Sequence, residues 1–184
     1  MYLGFNIDSN LCNKNDIIKE RNKFYNNFNC ILRKFNNVSF NVFLTLFKAY
    51  CYQFYGSELW FNNFNCKIVI HQFSVGFHKA IKKMIGAPWR ESNHIVCKMT
   101  GMVTFEHILD INRIRFLYKI LKYPPKFIEN NFSFFINSSF LMNEIEFLIM
   151  TKYNVDNFLD NDLDALIARI FYVHDQYIFN IDPG

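Results

Sequence analysis

A chain of 184 residues, 51% of them apolar and 20% charged, can bury a core without disulfide or metal staples, which excludes a disordered tract or a stapled mini-protein. The net charge of +4 conceals a division: residues 1–128 hold 18 Lys/Arg against 7 Asp/Glu, a balance of +11, while residues 129–184 hold 2 against 9, a balance of −7. Six Gly and four Pro are too few for an all-β protein built on tight turns. A basic body suits a polyanionic partner. The five Cys are odd in number and include no Cys-x-x-Cys pair. They read as reduced thiols of an intracellular protein, in the cytoplasm or the nucleus. The N-terminus shows no basic-then-apolar signal pattern. The most apolar window, residues 38–61, is interrupted by Lys48, Gln53 and Glu58. It falls short of the roughly 18–20 apolar residues a membrane span requires, so no membrane partner is expected.

In chain order, residues 1–8 alternate weakly and suit a short strand or hairpin arm. From Asp16, a candidate N-cap, Ile17, Phe24, Phe28, Ile31 and Phe35 recur as the apolar stripe of an amphipathic helix. A second helix is expected from about Asn41 to Trp60, burying Phe43, Leu46, Phe47, Tyr50, Phe54 and Tyr55, with Gly56 a point where it breaks or closes early. A third spans roughly 67–85 on Phe73, Phe77, Ile81 and Met84, and Gly86-Ala87-Pro88 stops it. A short helix over 92–99 ends at Gly101, and Thr104 caps the next, with Ile108, Ile111, either Ile114 or Phe116, and Leu117, Ile120 and Leu121 as its core. Pro124-Pro125 is the clearest boundary. Beyond it, 139–151 and 156–172 read as two further helices, the second through Leu159, Leu163, Leu166 and Ile170. The Asn pairs at 26–27, 36–37, 62–63 and 130–131 read as helix ends and loops. The fold class is mainly α: a bundle of six or seven helices with a short N-terminal β element.

Chemistry-bearing motifs are sparse. Phosphoryl transfer of the polymerase kind needs carboxylates converging on two Mg²⁺ ions. The clusters Asp160/Asp162/Asp164 and Glu144/Glu146 are the only candidates, and the first sits where carboxylates favour a helix start. It lacks the Gly and distal Glu of a calcium loop and reads as helix capping. His94 and Cys97 form one imperfect zinc edge, with His107 or Cys66/His71 as remote ligands, and read more readily as packing. Nothing marks an activated Cys nucleophile. Lys79, Lys82 and Lys83, with Arg90 after the turn, project from one helix end; Arg33 and Lys34 end the first helix; Arg113, Arg115, Lys119 and Lys122 line a later one. Taken alone, such clusters are more often solvated faces than phosphate contacts. Trp60 and Trp89 read as core rather than as platforms for stacking bases.

Four blocks in order carry a resemblance. They are Tyr-Leu-Gly-Phe-Asn-Ile-Asp at 2–8, the run from Arg21 to Phe35, Leu46 to Trp60, and Phe77 to His94. Together they resemble the C-terminal part of non-LTR (LINE-type, jockey-like) retrotransposon reverse transcriptases over about two-thirds of the chain. The third and fourth blocks are the more specific. In that family the first block is the primer grip and the helices after it form a thumb clasping the template–primer duplex. The resemblance therefore implies a primer grip at Tyr2, Leu3 and Gly4. It also implies thumb-like contacts to nucleic acid through Arg21, Lys23, Arg33, Lys34, Lys79, Lys82, Lys83 and Arg90.

The family's fingers and palm carboxylates have no counterpart here. The expectation is thus a primer-grip remnant at 1–13, a thumb-like helical domain at 14–126 and an acidic helical segment at 127–184. Such a chain is not catalytic alone and holds no cofactor, although the parent polymerase would use Mg²⁺. Its expected partners are an RNA/DNA template–primer duplex and a separate palm and fingers. The competing expectations are a piece of a longer active polymerase, recognisable from a paired-Asp motif encoded upstream, and a decayed element with no selected function.

Overall fold

The computed structural model describes residues 13–60, 64–123, 162–169 and 172. Its elements are α1 (Lys14–Lys34), α2 (Phe40–Cys51), a 3-10 turn (Ser57–Leu59), α3 (Phe64–Ile85), α4 (Asn93–Met99) and α5 (Phe105–Lys122). Among the described residues no strand occurs, and the expected β element at 1–8 lies outside them. The chain divides into two units, 1–106 and 107–184.

Within the first unit, α1 buries Ile17, Phe24, Phe28 and Ile31, the stripe its periodicity demands. The helix begins before Asp16, and Asn13 takes the N-cap position with its side-chain amide donating to the Leu59 carbonyl. Asp16 is not a cap. It is buried in the first turn, where the Trp60 indole Nε1–H donates to its Oδ2 at 3.3 Å. Phe35 closes the helix and is exposed, because the backbone leaves helical phase there.

The second helix ends at Cys51, earlier than the composition suggests. The chain then turns through Gly56 at φ 79°, a left-handed conformation that favours glycine, into the short 3-10 turn. What α2 buries is the narrow stripe Phe43, Phe47, Cys51. Phe54 is buried beyond the helix end, whereas Tyr50 and Tyr55, expected inside, stand exposed.

Helix directions follow from paired contacts. Asn27 Nδ2 donates to the Tyr50 carbonyl at 2.8 Å, and the Phe28 and Phe47 rings lie 5.9 Å apart, so α2 runs antiparallel to α1. Arg21 Nη1 donates to Gln72 Oε1 at 2.9 Å. Four residues further along both helices, Tyr25 packs so closely on Gly76 that a Cβ there would fall 1.9 Å from its hydroxyl. Helices α1 and α3 are therefore parallel. The pair Asn26-Asn27 thus lies inside a helix, held by a tertiary hydrogen bond, while Asn36-Asn37 forms the expected turn.

An aromatic cluster fills the bundle. Phe24 has the rings of Phe28, Phe47, Phe54, Phe73 and Phe77 within 5.5–6.3 Å. Phe105, at the start of α5, closes it 4.7 Å from Phe73 and 5.2 Å from Phe54. Such tilted and edge-to-face pairs each add about 0.5–1.5 kcal/mol to the area they bury.

Two glycines terminate helices as their spacing requires. After α3, Gly86 at φ 66° donates to the Lys83 carbonyl and Ala87 N–H to the Lys82 carbonyl. After α4, Gly101 at φ 61° and Met102 repeat the pattern on Lys98 and Cys97. Both are Schellman caps, which satisfy carbonyls the helix end leaves without partners.

In the second unit α5 buries Ile108, Leu109, Ile111, Ile114 and Tyr118. Residues 163–169 are helical with Leu166 buried, and the Asp162 carbonyl accepts the Leu166 N–H at 3.1 Å. Asp162 and Asp164 accordingly sit at a helix start. The helix expected at 139–151 lies outside the described residues.

Candidate nucleic-acid interface

Because α1 and α3 are parallel, their C-terminal ends lie at one end of the bundle. That end carries Arg33 and Lys34 from α1 and Lys79, Lys82 and Lys83 from α3. Arg33, Lys34, Lys79 and Lys83 are exposed, and Lys82 is half-buried. No Asp or Glu occurs between Glu20 and Glu58, nor between Glu58 and Glu91, so neither α2 nor α3 contributes a carboxylate. The acids of this unit's first two elements, Asp16 and Glu20, sit at the opposite end of α1. Basic residues in a last turn also complement the helix dipole, which favours their accumulation independently of any ligand.

The α1 part of this end is a shallow, open depression of about 340 Å³ lined by Asn26, Asn29, Cys30, Arg33 and Lys34. Its donors are amide and cationic groups on successive turns of one helix face, suited to phosphate oxygens and unsuited to a buried small molecule.

Arg90 follows the α3 cap and is exposed, with its guanidinium carbon 5.0 Å from the centroid of the Trp89 ring. Lys82 Nζ donates to the Trp89 carbonyl at 3.2 Å, tying this turn to the helix. Trp60, by contrast, is fully buried; Trp89, expected in the core, is 77% exposed. No periodicity distinguishes the two tryptophans, since both lie beyond a helix end.

Arg21 and Lys23 do not join the basic end. They lie about three turns back, roughly 18 Å (Arg21) and 15 Å (Lys23) along α1 from Arg33 at the usual helical rise. Arg21 is engaged by Gln72 and Lys23 pairs with Glu20 at 3.2 Å. Tyr2, Leu3 and Gly4 lie outside the described residues.

A second polar cluster, illegible in the sequence, joins α3 and the start of α5. Ser74 Oγ donates to Glu106 Oε1 at 2.5 Å, and His78 Nδ1 lies 2.9 Å from the Ser74 carbonyl. Ser, His and Glu together invite comparison with a nucleophilic triad. The proton inventory argues otherwise. Nδ1 must carry its hydrogen to donate to a carbonyl, so it cannot accept the Ser74 proton, which goes to Glu106. His78 Nε2 is buried with no hydrogen-bond partner among the described residues. Burial lowers the His78 pKa, with Lys82 and His94 adding to the effect against the opposing pull of Glu106 and the Ser74 carbonyl. His78 is therefore a neutral packing residue.

Partial burial pushes Glu106 up, but the Ser74 hydroxyl, its own backbone N–H, the His78 ring once it is protonated and Thr104 more than offset that and hold it below the ordinary range. The Cys97 thiol is pushed up to about 12, chiefly by burial, as is that of Cys51. Such thiols are poor nucleophiles. Among the described residues no three His, Cys, Asp or Glu side chains converge as a metal site, and no helix is long and apolar enough to cross a membrane.

No family model, no curated protein and no solved structure matches this chain.

Proposed function

We propose that this chain grips a nucleic-acid duplex through the basic end of its first helical unit, in the manner of the thumb of a non-LTR reverse transcriptase, and performs no chemistry on it. The observation that carries the reading is the convergence of Arg33, Lys34, Lys79, Lys82 and Lys83 at one end of two parallel helices. No carboxylate from α2 or α3 is interleaved there to neutralise them. Point cations spaced along two helix ends contact phosphates and ignore base identity. The template–primer duplex is the partner implied by the family resemblance, and the missing palm and fingers would come from elsewhere in a polymerase.

The test is a duplex titration across salt. Each phosphate contact releases condensed counterions, giving a slope of about −0.9 in log K against log[salt] per contact on B-form DNA. Binding at about 50 mM salt that weakens steeply by about 200 mM is expected, with little difference between sequences. Replacing Lys79 and Lys83 by Gln should flatten the slope by about two contacts. Absence of binding at the lower salt would sink the reading.

A further inference from the structure

Trp89 is placed where a core tryptophan has no reason to be. It is 77% exposed, on a turn whose geometry is fixed three ways. Gly86 and Ala87 close α3 in a Schellman cap, the Glu91 N–H donates to the Pro88 carbonyl at 3.1 Å, and Lys82 Nζ holds the Trp89 carbonyl itself. An aromatic side chain presented on a rigid turn loses little freedom when a flat ligand stacks on it. The Arg90 guanidinium lies over the ring at 5.0 Å, and a cation on one face leaves the other to a ligand.

The surroundings specify that ligand. Lys79 and Lys83 are exposed on the last turns of α3, just before this turn, and Arg90 adjoins the ring. No acidic residue precedes Glu91 as far back as Glu58, and the Glu91 side chain is turned onto the Ser92 N–H. A flat π-face backed by Arg90, on a turn that follows a lysine-rich helix end, fits a nucleobase with its phosphates. A base paired inside a duplex already has both faces stacked, so an unpaired base is the one most free to use the ring.

We propose that Trp89, with Arg90 behind it, is a stacking platform for an unpaired base adjoining the duplex that the basic end holds. The assignment rests on the nucleic-acid reading above and adds to it a preference for a single-strand/duplex junction.

The full chain contains two tryptophans, one exposed and one buried, so its fluorescence reports ligand contact at Trp89 directly. Three ligands separate the possibilities: a blunt duplex, the same duplex with a short overhang, and that overhang made abasic. The overhang should bind more tightly than the blunt or abasic forms and should quench the emission. Stacking a base on an aromatic side chain is worth roughly five-fold to a hundred-fold in affinity. Trp89→Ala should abolish that preference while leaving blunt-duplex affinity close to the parent's, and Trp89→Phe should keep most of it.

Equal affinity of parent and Trp89→Ala for the overhang overturns the platform and leaves the duplex reading standing. Failure of all three ligands at low salt overturns both. An emission shift with anionic lipid vesicles, and none with the overhang, assigns the surface to a membrane and overturns the platform as well. Because the side chain is exposed, its truncation leaves the aromatic core whole, and far-UV circular dichroism of each variant should match the parent.

Discussion

At one end of the bundle, charge is internal and partnered. Asp16 is buried against the Trp60 indole, Glu20 is buried with Lys23 as its counter-ion, and Asn13 ties the start of α1 to the turn before α3. At the other end, charge is external, of one sign and open to solvent, on Arg33, Lys34, Lys79 and Lys83. Between the two lies the aromatic cluster, which belongs to neither. The difference teaches which residues hold the fold and which are spare for a partner. Charges taken out of water must be compensated inside the molecule. Charges left in water cost little and can be given to a phosphate.

The sharpest break comes from the shared middle. Phe24→Ala removes the ring that joins α1 to Phe47 of α2, to Phe73 and Phe77 of α3 and to Phe54. A buried Phe→Ala change costs about 3–5 kcal/mol. Denaturant unfolding should show that loss, and both ends should fail together.

The buried-charge end is tested by Trp60→Phe, which keeps most of the ring but deletes the Nε1–H that Asp16 accepts. A buried acceptor left without its donor costs about 1–3 kcal/mol. Asp16→Asn in the same background should recover part of it. If Trp60→Phe is neutral, the contact at 3.3 Å contributes nothing to stability.

The pH dependence of stability distinguishes the Ser74–His78–Glu106 cluster from the exposed cations. His78 is held neutral by burial, so its folded-state pKa lies below its ordinary 6.5. Below that value the unfolded chain takes up a proton the folded chain does not, and stability falls as pH falls. Glu106 is likewise held below 4.5, so its contribution is present above that pH and is lost on further acidification. Stability should therefore decline from about pH 6.5 downward, and His78→Leu should remove the upper part of the decline. An unchanged slope between neutrality and pH 5.5 or so would mean that His78 titrates as it does in water.

Much of this was legible beforehand and some was not, for identifiable reasons. The stripe Ile17, Phe24, Phe28, Ile31 and the stops at Gly86 and Gly101 follow from period and turn chemistry, and the structure has them where expected. Periodicity misplaced Tyr50 and Tyr55 because it assumes one unbroken helix, whereas the chain leaves α2 at Cys51. Asp16 looked like a cap because caps and buried hydrogen-bonded acids use the same residue types; only Trp60, distant in sequence, distinguishes them. The basic end was legible as two clusters. Their adjacency was not, since it depends on α1 and α3 being parallel, a fact carried by Tyr25 on Gly76 and by Arg21 on Gln72. The Ser74–His78–Glu106 cluster had no sequence signal, because its members come from two helices 32 residues apart at the Ser74–Glu106 bond.

The smallest expected effect on stability is the one that separates the two ends most cleanly. Lys79 and Lys83 are exposed near the C-terminus of α3, so two opposing effects attend their replacement by Gln. Losing the Lys83 cation in the last helical turn removes a favourable dipole interaction of a few tenths of a kcal/mol. Separating like charges one turn apart returns a similar amount. The net change in unfolding free energy should stay within about 0.5 kcal/mol, below any of the core or buried-charge variants. Duplex affinity, in contrast, should drop and its salt dependence flatten. Paired with Trp60→Phe, which should lower stability and leave the salt slope unchanged, this makes a double dissociation between the buried-charge end and the open one. A Lys79→Gln/Lys83→Gln protein that unfolds markedly earlier would place these lysines among the groups that hold the fold, and would take from the basic end its claim to a partner.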